Sequence, residues 1–396
     1  MFKRRQLLGL IMIILFLFVC LLGCTRREGP PQVSPTPASP TKETPKEKGV
    51  IRIGWIGVLT GDAAYYGEMV KYGTELAVDE INTAGGIRGK KIEVIYDNDQ
   101  LDPKKGVSII TKLITIDKVP LVIQGTGSSV MLACAPIAEK HKVVYISPTC
   151  SNDKIKDAGN YIFRNWPSDN YQGKVVADFA FRELGLKKAA ILFINNDYGA
   201  GLKNVFSRQF KNLGGKVLAV EGFDQGATDF RAQLAKIKNS GAGVVFLSSQ
   251  YKEGALILKQ TKEIGLKVKF VAPEGCFAPE LIKLSGGAAE GVYVVNMHWA
   301  PDSDDPIVKD FVTKFKKKFK KDPEVYAATA YDCMKIVGKA LEMDGETGEG
   351  LKDALYKIKD FQGVTGSTTF DVYGEVTKKY DVYVVKNGKF TLFEEE

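Results

Sequence analysis

Residues 51–58 read Ile-Arg-Ile-Gly-Trp-Ile-Gly-Val, an almost unbroken apolar run bounded by glycine. A strand with no regular polar face is one covered on both sides, the pattern of a parallel sheet packed between helices. Working outward, residues 69–81 carry helical spacing through Tyr72, Gly73, Leu76, Ala77 and Ile81, and Ala84-Gly85-Gly86 ends that helix. A strand follows over 91–96. Asp102-Pro103 then supplies an N-cap followed by proline at the first helical position. The rhythm continues as helix 103–116, strand 119–124, helix 130–140 and strand 142–147. It restarts after Tyr171 as helix 171–184, strand 188–194, helix 199–213, strand 216–221, helix 228–239, strand 243–248, helix 252–264 and strand 268–272. Strands separated by helices at this spacing imply parallel sheets with helices on both faces. Two such runs imply two α/β lobes, in keeping with a length of 396 residues.

In open α/β sheets ligands bind beyond the carboxyl ends of the strands, where helix N-termini favour anions. The loops at those ends are rich in Ser, Thr, Tyr, Gly and acids. Gly127-Ser128-Ser129 opens a helix, and Thr149 to Ser151 lies at the next strand end. Their hydroxyls and N–H groups suit a carboxylate, or simply cap helices. Glu274 follows a strand directly, where it could take an ammonium group or be an ordinary surface acid. Tyr66 and Tyr198 each precede a glycine at a strand-to-helix junction, placed to wall a pocket or to pack in the core.

The formal charge of +8 divides unevenly. Lys3, Arg4 and Arg5 precede an apolar run from Leu7 to Leu22, and Leu21-Leu22-Gly23-Cys24 then gives way to charged residues. That is the order of an export signal, residues 1–23. The ending resembles a bacterial lipobox, which implies acylation of Cys24; the other reading is an uncleaved anchor helix. Residues 24–48 form a Pro-, Thr- and Lys-rich tether with little to bury, expected to be disordered. Signal and tether account for five net positive charges, leaving +3 from Gly49 onward. That is no polyanion footprint, so no nucleic-acid partner is expected. The dense run Lys314 to Lys321 has Phe311, Phe315 and Phe319 on one helical face, so its lysines are expected on the solvated face opposite.

Catalysis finds little support. Gly125-Thr126-Gly127 begins like a dinucleotide fingerprint, but Val130 replaces the third glycine. There is neither a Gly-x-Ser-x-Gly elbow nor a P-loop. His141 is expected at the edge of the core and His298 where the chain crosses between lobes; neither has a nucleophile beside it. Cys134, Cys150, Cys276 and Cys333 lack metal spacing, and free thiols are favoured over disulfides. No catalytic residue, metal or cofactor is expected.

From about Val50 onward the chain closely resembles the branched-chain amino acid-binding proteins of ABC importers, of the type I periplasmic-binding fold. The resemblance rests on Leu59-Thr60-Gly61-Asp62 with Tyr66-Gly67, on Asp79 to Gly89, and on Asp102-Pro103, Ile146-Ser147-Pro148, Asp197-Tyr198-Gly199, Thr228-Asp229-Phe230 and Gly363 to Gly366. It implies two doubly wound parallel-sheet lobes joined by a three-strand hinge, with crossings near Ser168, His298 and Thr377. The lobes would be 49–168 plus 299–376 and 169–298 plus 377–396. By position, Ser129, Thr149 and Ser151 would offer hydroxyl and N–H donors to an amino acid carboxylate. Glu274 would take its ammonium, helped by backbone around Thr149, and Tyr66 and Tyr198 would line the cleft. Asp169 would be a hinge or closure residue, or merely a helix cap. Gln250 stands where the family often has an aromatic ring, and Gly127 where it can have bulkier residues. Both departures open the side-chain pocket to a larger or more polar amino acid. The implied function is capture without chemistry by a monomeric, lipid-anchored receptor outside the cytoplasmic membrane, feeding ABC permease subunits. The alternative is a ligand-sensing receptor module of the same fold for another small amide or carboxylate ligand.

Overall fold

A computed structural model describes residues 49–394. The expected export signal, Cys24 and the tether lie outside these residues. In chain order the first run is β1 (Val50–Gly57), α1 (Ala64–Thr83), β2 (Lys91–Asn98), α2 (Pro103–Thr115), β3 (Leu121–Gln124), α3 (Ser128–Lys140), β4 (Val144–Ser147) and β5 (Ile162–Arg164). The second is α4 (Asp169–Asp178), β6 (Lys188–Ile194), α5 (Asp197–Asn212), β7 (Lys216–Phe223), α6 (Arg231–Ser240), β8 (Val244–Ser248), α7 (Tyr251–Glu263), β9 (Lys269–Ala272), α8 (Pro279–Ser285) and β10 (Tyr293–Met297). Then come α9 (Pro306–Phe319), α10 (Val325–Asp344), α11 (Gly348–Lys357), the hairpin β11 (Phe361–Gly363) and β12 (Gly366–Thr368), and finally β13 (Tyr380–Lys386) and β14 (Lys389–Leu392).

The strands form two main sheets. The first is parallel throughout, in the order β2-β1-β3-β4-β5. The second runs β14-β13-β10-β9-β8-β6-β7, parallel except that β13 and β14 join as an antiparallel pair on its β10 edge. Each sheet with its flanking helices makes one lobe. The connections 165–168, 298–305 and 369–379 run between the two groups of elements, and Ser168, His298 and Thr377 lie in them.

Several expected boundaries shift for local reasons. The helix expected from Tyr171 starts at Asp169, because the Ser168 hydroxyl accepts from the Asn170 N–H at 3.1 Å and caps it. Its last turn, Phe179–Glu183, widens to a π-helix. The helix expected from Met69 starts at Ala64, so Tyr66 lies inside it. His141 is exposed at the end of α3 and not packed at the core edge. Four cysteines are buried as free thiols: Cys134, Cys150, Cys276 and Cys333.

The helices after β10 return to the first lobe. On α9, Phe311 and Phe315 are fully buried. Its lysines are less free than expected, because α1 lies alongside with acids. Lys314 reaches Glu80 at 3.0 Å, Lys321 reaches Glu68 at 2.7 Å, and Lys318 pairs with Asp79. The next helix, α10, packs along α1 so closely that a methyl on Gly73 would lie 2.1 Å from the Ala327 carbonyl oxygen. In an open helix interior Gly→Ala stabilises by about 1 kcal/mol. Here Gly73→Ala should instead destabilise by about 1–3 kcal/mol, because the obstacle is backbone and cannot swing aside. Urea unfolding checks this; a stabilised variant would contradict the close α1–α10 packing.

Candidate functional site

The two lobes meet over a cavity of about 430 Å³. Tyr66, Ser129, Thr149, Ser151, Tyr198, Gln250 and Glu274 all line it. From the first lobe, α1 brings Tyr66, the start of α3 brings Ser129, and the loop after β4 brings Thr149 and Ser151. From the second, α5 brings Tyr198, the residue ahead of α7 is Gln250, and the turn after β9 brings Glu274.

One end of the cavity is built from α3. Gly127 occupies its N-cap position with φ +99°, a backbone geometry that favours glycine, and no side chain caps the helix. The first-turn N–H groups are therefore left to an incoming acceptor. The Ser129 hydroxyl accepts from the Asp197 N–H at 3.0 Å across the cleft, and its own hydrogen remains free to donate. Thr149 departs from expectation. Its hydroxyl donates to the Gly125 carbonyl at 2.7 Å and its N–H donates to the Ser147 hydroxyl at 3.2 Å. Both donors are used inside the lobe, so Thr149 has only its carbonyl to offer. Ser128 Oγ accepts, at long range, from the N–H groups of Ser151 and Asn152.

Glu274 is 5% exposed and so is no surface acid. Its Oε2 is buried and accepts no hydrogen bond from the protein. Burial pushes the carboxyl up to about 7, against the pull of Gln172, its own backbone N–H and Tyr198. Beside it, Asp169 is fully buried and its carboxylate oxygens accept no well-formed hydrogen bond. Burial first, and then the Glu274 charge, push Asp169 well above the usual range despite the nearby Ser151 hydroxyl. The capping role is taken by Ser168, so the Asp169 side chain is not the helix cap. Its N–H donates to the Ser151 carbonyl at 2.7 Å. Among the described residues no cation pairs with either acid.

Other contacts hold the lobes together around these groups. The Tyr66 hydroxyl donates to the Gly275 carbonyl and accepts from the Tyr251 N–H at 3.1 Å. The Tyr326 hydroxyl donates to the Glu274 carbonyl at 2.6 Å. Asn152 Nδ2 donates to the Asp197 carbonyl at 2.5 Å, and Lys252 pairs with Asp62. Tyr326, Asn152, Asp197 and Leu101 went unassigned in the sequence reading, and so did Arg164. Arg164 is fully buried, pairs with Glu375, and donates to the carbonyls of Ser151 at 2.7 Å and Asn152 at 2.9 Å. It thereby fixes the loop that carries Ser151. The run Phe163-Arg164-Asn165-Trp166 was a usable signal, because an arginine directly after buried strand residues needs partners.

Residues 50–389 match the family model for periplasmic binding proteins. The chain belongs to the periplasmic binding protein family. Among its relatives is the leucine-, isoleucine-, valine-, threonine- and alanine-binding protein of Pseudomonas aeruginosa, 32% identical over 87% of this chain and 89% of the relative. The Leu/Ile/Val-binding protein homolog 1 of Brucella abortus is 30% identical over 81% of this chain and 86% of the relative. Among solved structures, a branched-chain amino acid transporter substrate-binding protein from Streptococcus pneumoniae, in complex with isoleucine, superposes with a TM-score of 0.80. It is 31% identical and covers 86% of this chain and 97% of its own. The fold is that of type I periplasmic binding proteins, and no helix among the described residues is long and apolar enough to cross a membrane.

In this periplasmic binding protein the raised Glu274 carboxyl has a direct consequence. The conformation described here favours its protonated form. That contribution to stability is complete below the ordinary carboxyl value of 4.5 and is lost as pH rises through about 7. Without added ligand, thermal stability should therefore fall between pH 4.5 and 7. Glu274→Gln should flatten that slope, with the other raised carboxyls, Asp169 and Glu324 among them, supplying what remains. Parallel melting curves for the two proteins across this range would contradict the burial of an unpaired Glu274.

Proposed function

We propose that this chain captures an α-amino acid for an ABC importer by closing its two lobes over it. The reading is carried by the pairing of opposite needs in one cavity. Uncapped N–H groups of α3 with the Ser129 hydroxyl face an anion, and the unpaired Glu274 faces a cation. An α-amino acid carries both charges on adjacent atoms. Its carboxylate would meet Ser129 and the α3 N-terminus, and its ammonium would meet Glu274 and the Thr149 carbonyl. The relatives' names, and the isoleucine held by the Streptococcus structure, place branched-chain and related amino acids in the ligand class.

Residues 49–168 plus 299–376 would move against 169–298 plus 377–396. Only the closed arrangement gives the ligand both sets of partners, so binding shifts the population toward it. Closure removes water and strengthens each charged contact. Tyr66, Tyr198 and Asp169 shape and complete the closed cleft. The permease would recognise the closed pair and reopen it. The protein works as a monomer and performs no chemistry, with no cofactor or metal. Cys24 carries the lipid that keeps it on the extracytoplasmic side of the membrane.

Calorimetry across the amino acids should find a tight binder, and Glu274→Ala should weaken that ligand by about 2–5 kcal/mol, since it leaves an ammonium buried without a partner. Unchanged affinity would remove Glu274 from the site. Separately, cells expressing Cys24→Ser should incorporate no labelled fatty acid into the protein; retained label would refute the anchor.

A further inference from the structure

We propose that the captured amino acid has a side chain longer than that of leucine, ending in a neutral carboxamide or ureido group that reaches a second cavity. The inference rests on the capture reading and specifies its ligand. The first cavity, about 430 Å³, has room for on the order of a dozen waters at roughly 30 Å³ each. That is more than a leucine needs. No side chain projects from Gly127, where a methyl would collide with Leu101 Cδ2 at 2.8 Å. The space instead continues to Leu101 and Pro103.

Leu101, Gln225 and Gln250 line both this cavity and a neighbouring one of about 350 Å³, whose walls include Thr60, Asp62 and Gln100. The three shared residues form a threshold of one aliphatic side chain and two carboxamides. Among the described residues, neither the Gln225 nor the Gln250 side chain hydrogen-bonds to the protein. Each can both donate and accept. The charged residue on the wall beyond them, Asp62, is already matched. Asp62 pairs with Lys252, and Gln100 accepts from Lys105 while its amide reaches Thr60 Oγ1 at 3.3 Å. The threshold itself carries no charged side chain, so a charged end would exchange its water for neutral dipoles alone. A neutral group with both donors and acceptors suits the two glutamines. An aliphatic end would dry them without replacing their hydrogen bonds to water, which costs more than it gains. Gln225 and Gln250 are thus specificity residues, distinct in role from Glu274.

The test is calorimetry on the purified full-length protein with L-glutamine, L-citrulline, L-leucine and L-norleucine. Glutamine or citrulline should bind at least tenfold tighter than both aliphatic amino acids. Gln250→Leu and, separately, Gln225→Leu should shrink or invert that ratio by raising the affinity for leucine. Leucine or norleucine binding tightest to the natural protein, or a ratio that neither variant moves, would overturn the inference. Tight leucine binding that Glu274→Gln abolishes would overturn this inference alone and leave capture standing. Failure of every standard amino acid and citrulline to bind would overturn the capture reading, and this inference with it.

Discussion

Two carboxylates buried against each other at the boundary between lobes set the terms for the rest of the molecule. They come from different elements of the second lobe: Glu274 lines the cavity with Ser129 and Ser151 of the first, and the Asp169 N–H donates to the Ser151 carbonyl. Burial raises the proton affinity of both, the Glu274 charge raises that of Asp169 further, and a buried ion without a partner costs several kcal/mol or takes up a proton. Among the described residues no cation lies within ion-pair distance of either, and only the buried Arg164 pulls on Asp169 from farther off. The protein supplies Gln172, whose amide is held by the Val295 carbonyl at 3.0 Å, and the Tyr198 hydroxyl, which accepts from the Gly275 N–H at 3.2 Å. These neutral dipoles hold Glu274 without neutralising it.

The contacts that close the lobes are individually modest. The hydrogen bonds from Asp197 to Ser129, from Tyr66 to Gly275 and from Tyr326 to Glu274 each contribute about 1 kcal/mol net. The exposed Lys252–Asp62 pair adds little. Aromatic rings reinforce the seam, with Tyr66 of the first lobe and Tyr251 of the second edge to face at 5.2 Å. Such a seam aligns the lobes but is weakened from within by the buried acids. A ligand that relieves the acids therefore has leverage over closure out of proportion to its size.

Much of this was legible in the residue pattern. Continuous apolar runs such as β1 gave away the parallel sheets, because strands buried on both faces have no polar side to hide. Asp102 before Pro103 marked the start of α2, and its side chain does cap the Lys104 N–H at 2.8 Å. The seven cavity residues follow strand ends or open helices, the positions where an α/β sheet exposes loops on one edge. What stayed hidden depends on contacts distant in sequence. Tyr326 reaches the site only because α10 returns to pack on α1. Arg164 supports Ser151 only with Glu375, 211 positions away. Thr149 reads as a donor in sequence, yet the Gly125 carbonyl and the Ser147 hydroxyl claim both its donors. The last strands, β13 and β14, were missed because their mixed polar composition belongs to the edge of a sheet.

The central claim is that an α-ammonium group on the ligand drives the lobes together. The most direct measurement is the distance between spin labels on exposed cysteines introduced at Lys104 in the first lobe and Thr228 in the second. It is made with a free amino acid that binds and with its N-acetyl derivative, which keeps the carboxylate and side chain but carries no charge on nitrogen. The account predicts that the free amino acid shortens and narrows the distance distribution and that the acetylated one leaves it unchanged at equal concentration. Equal closure by both would contradict it.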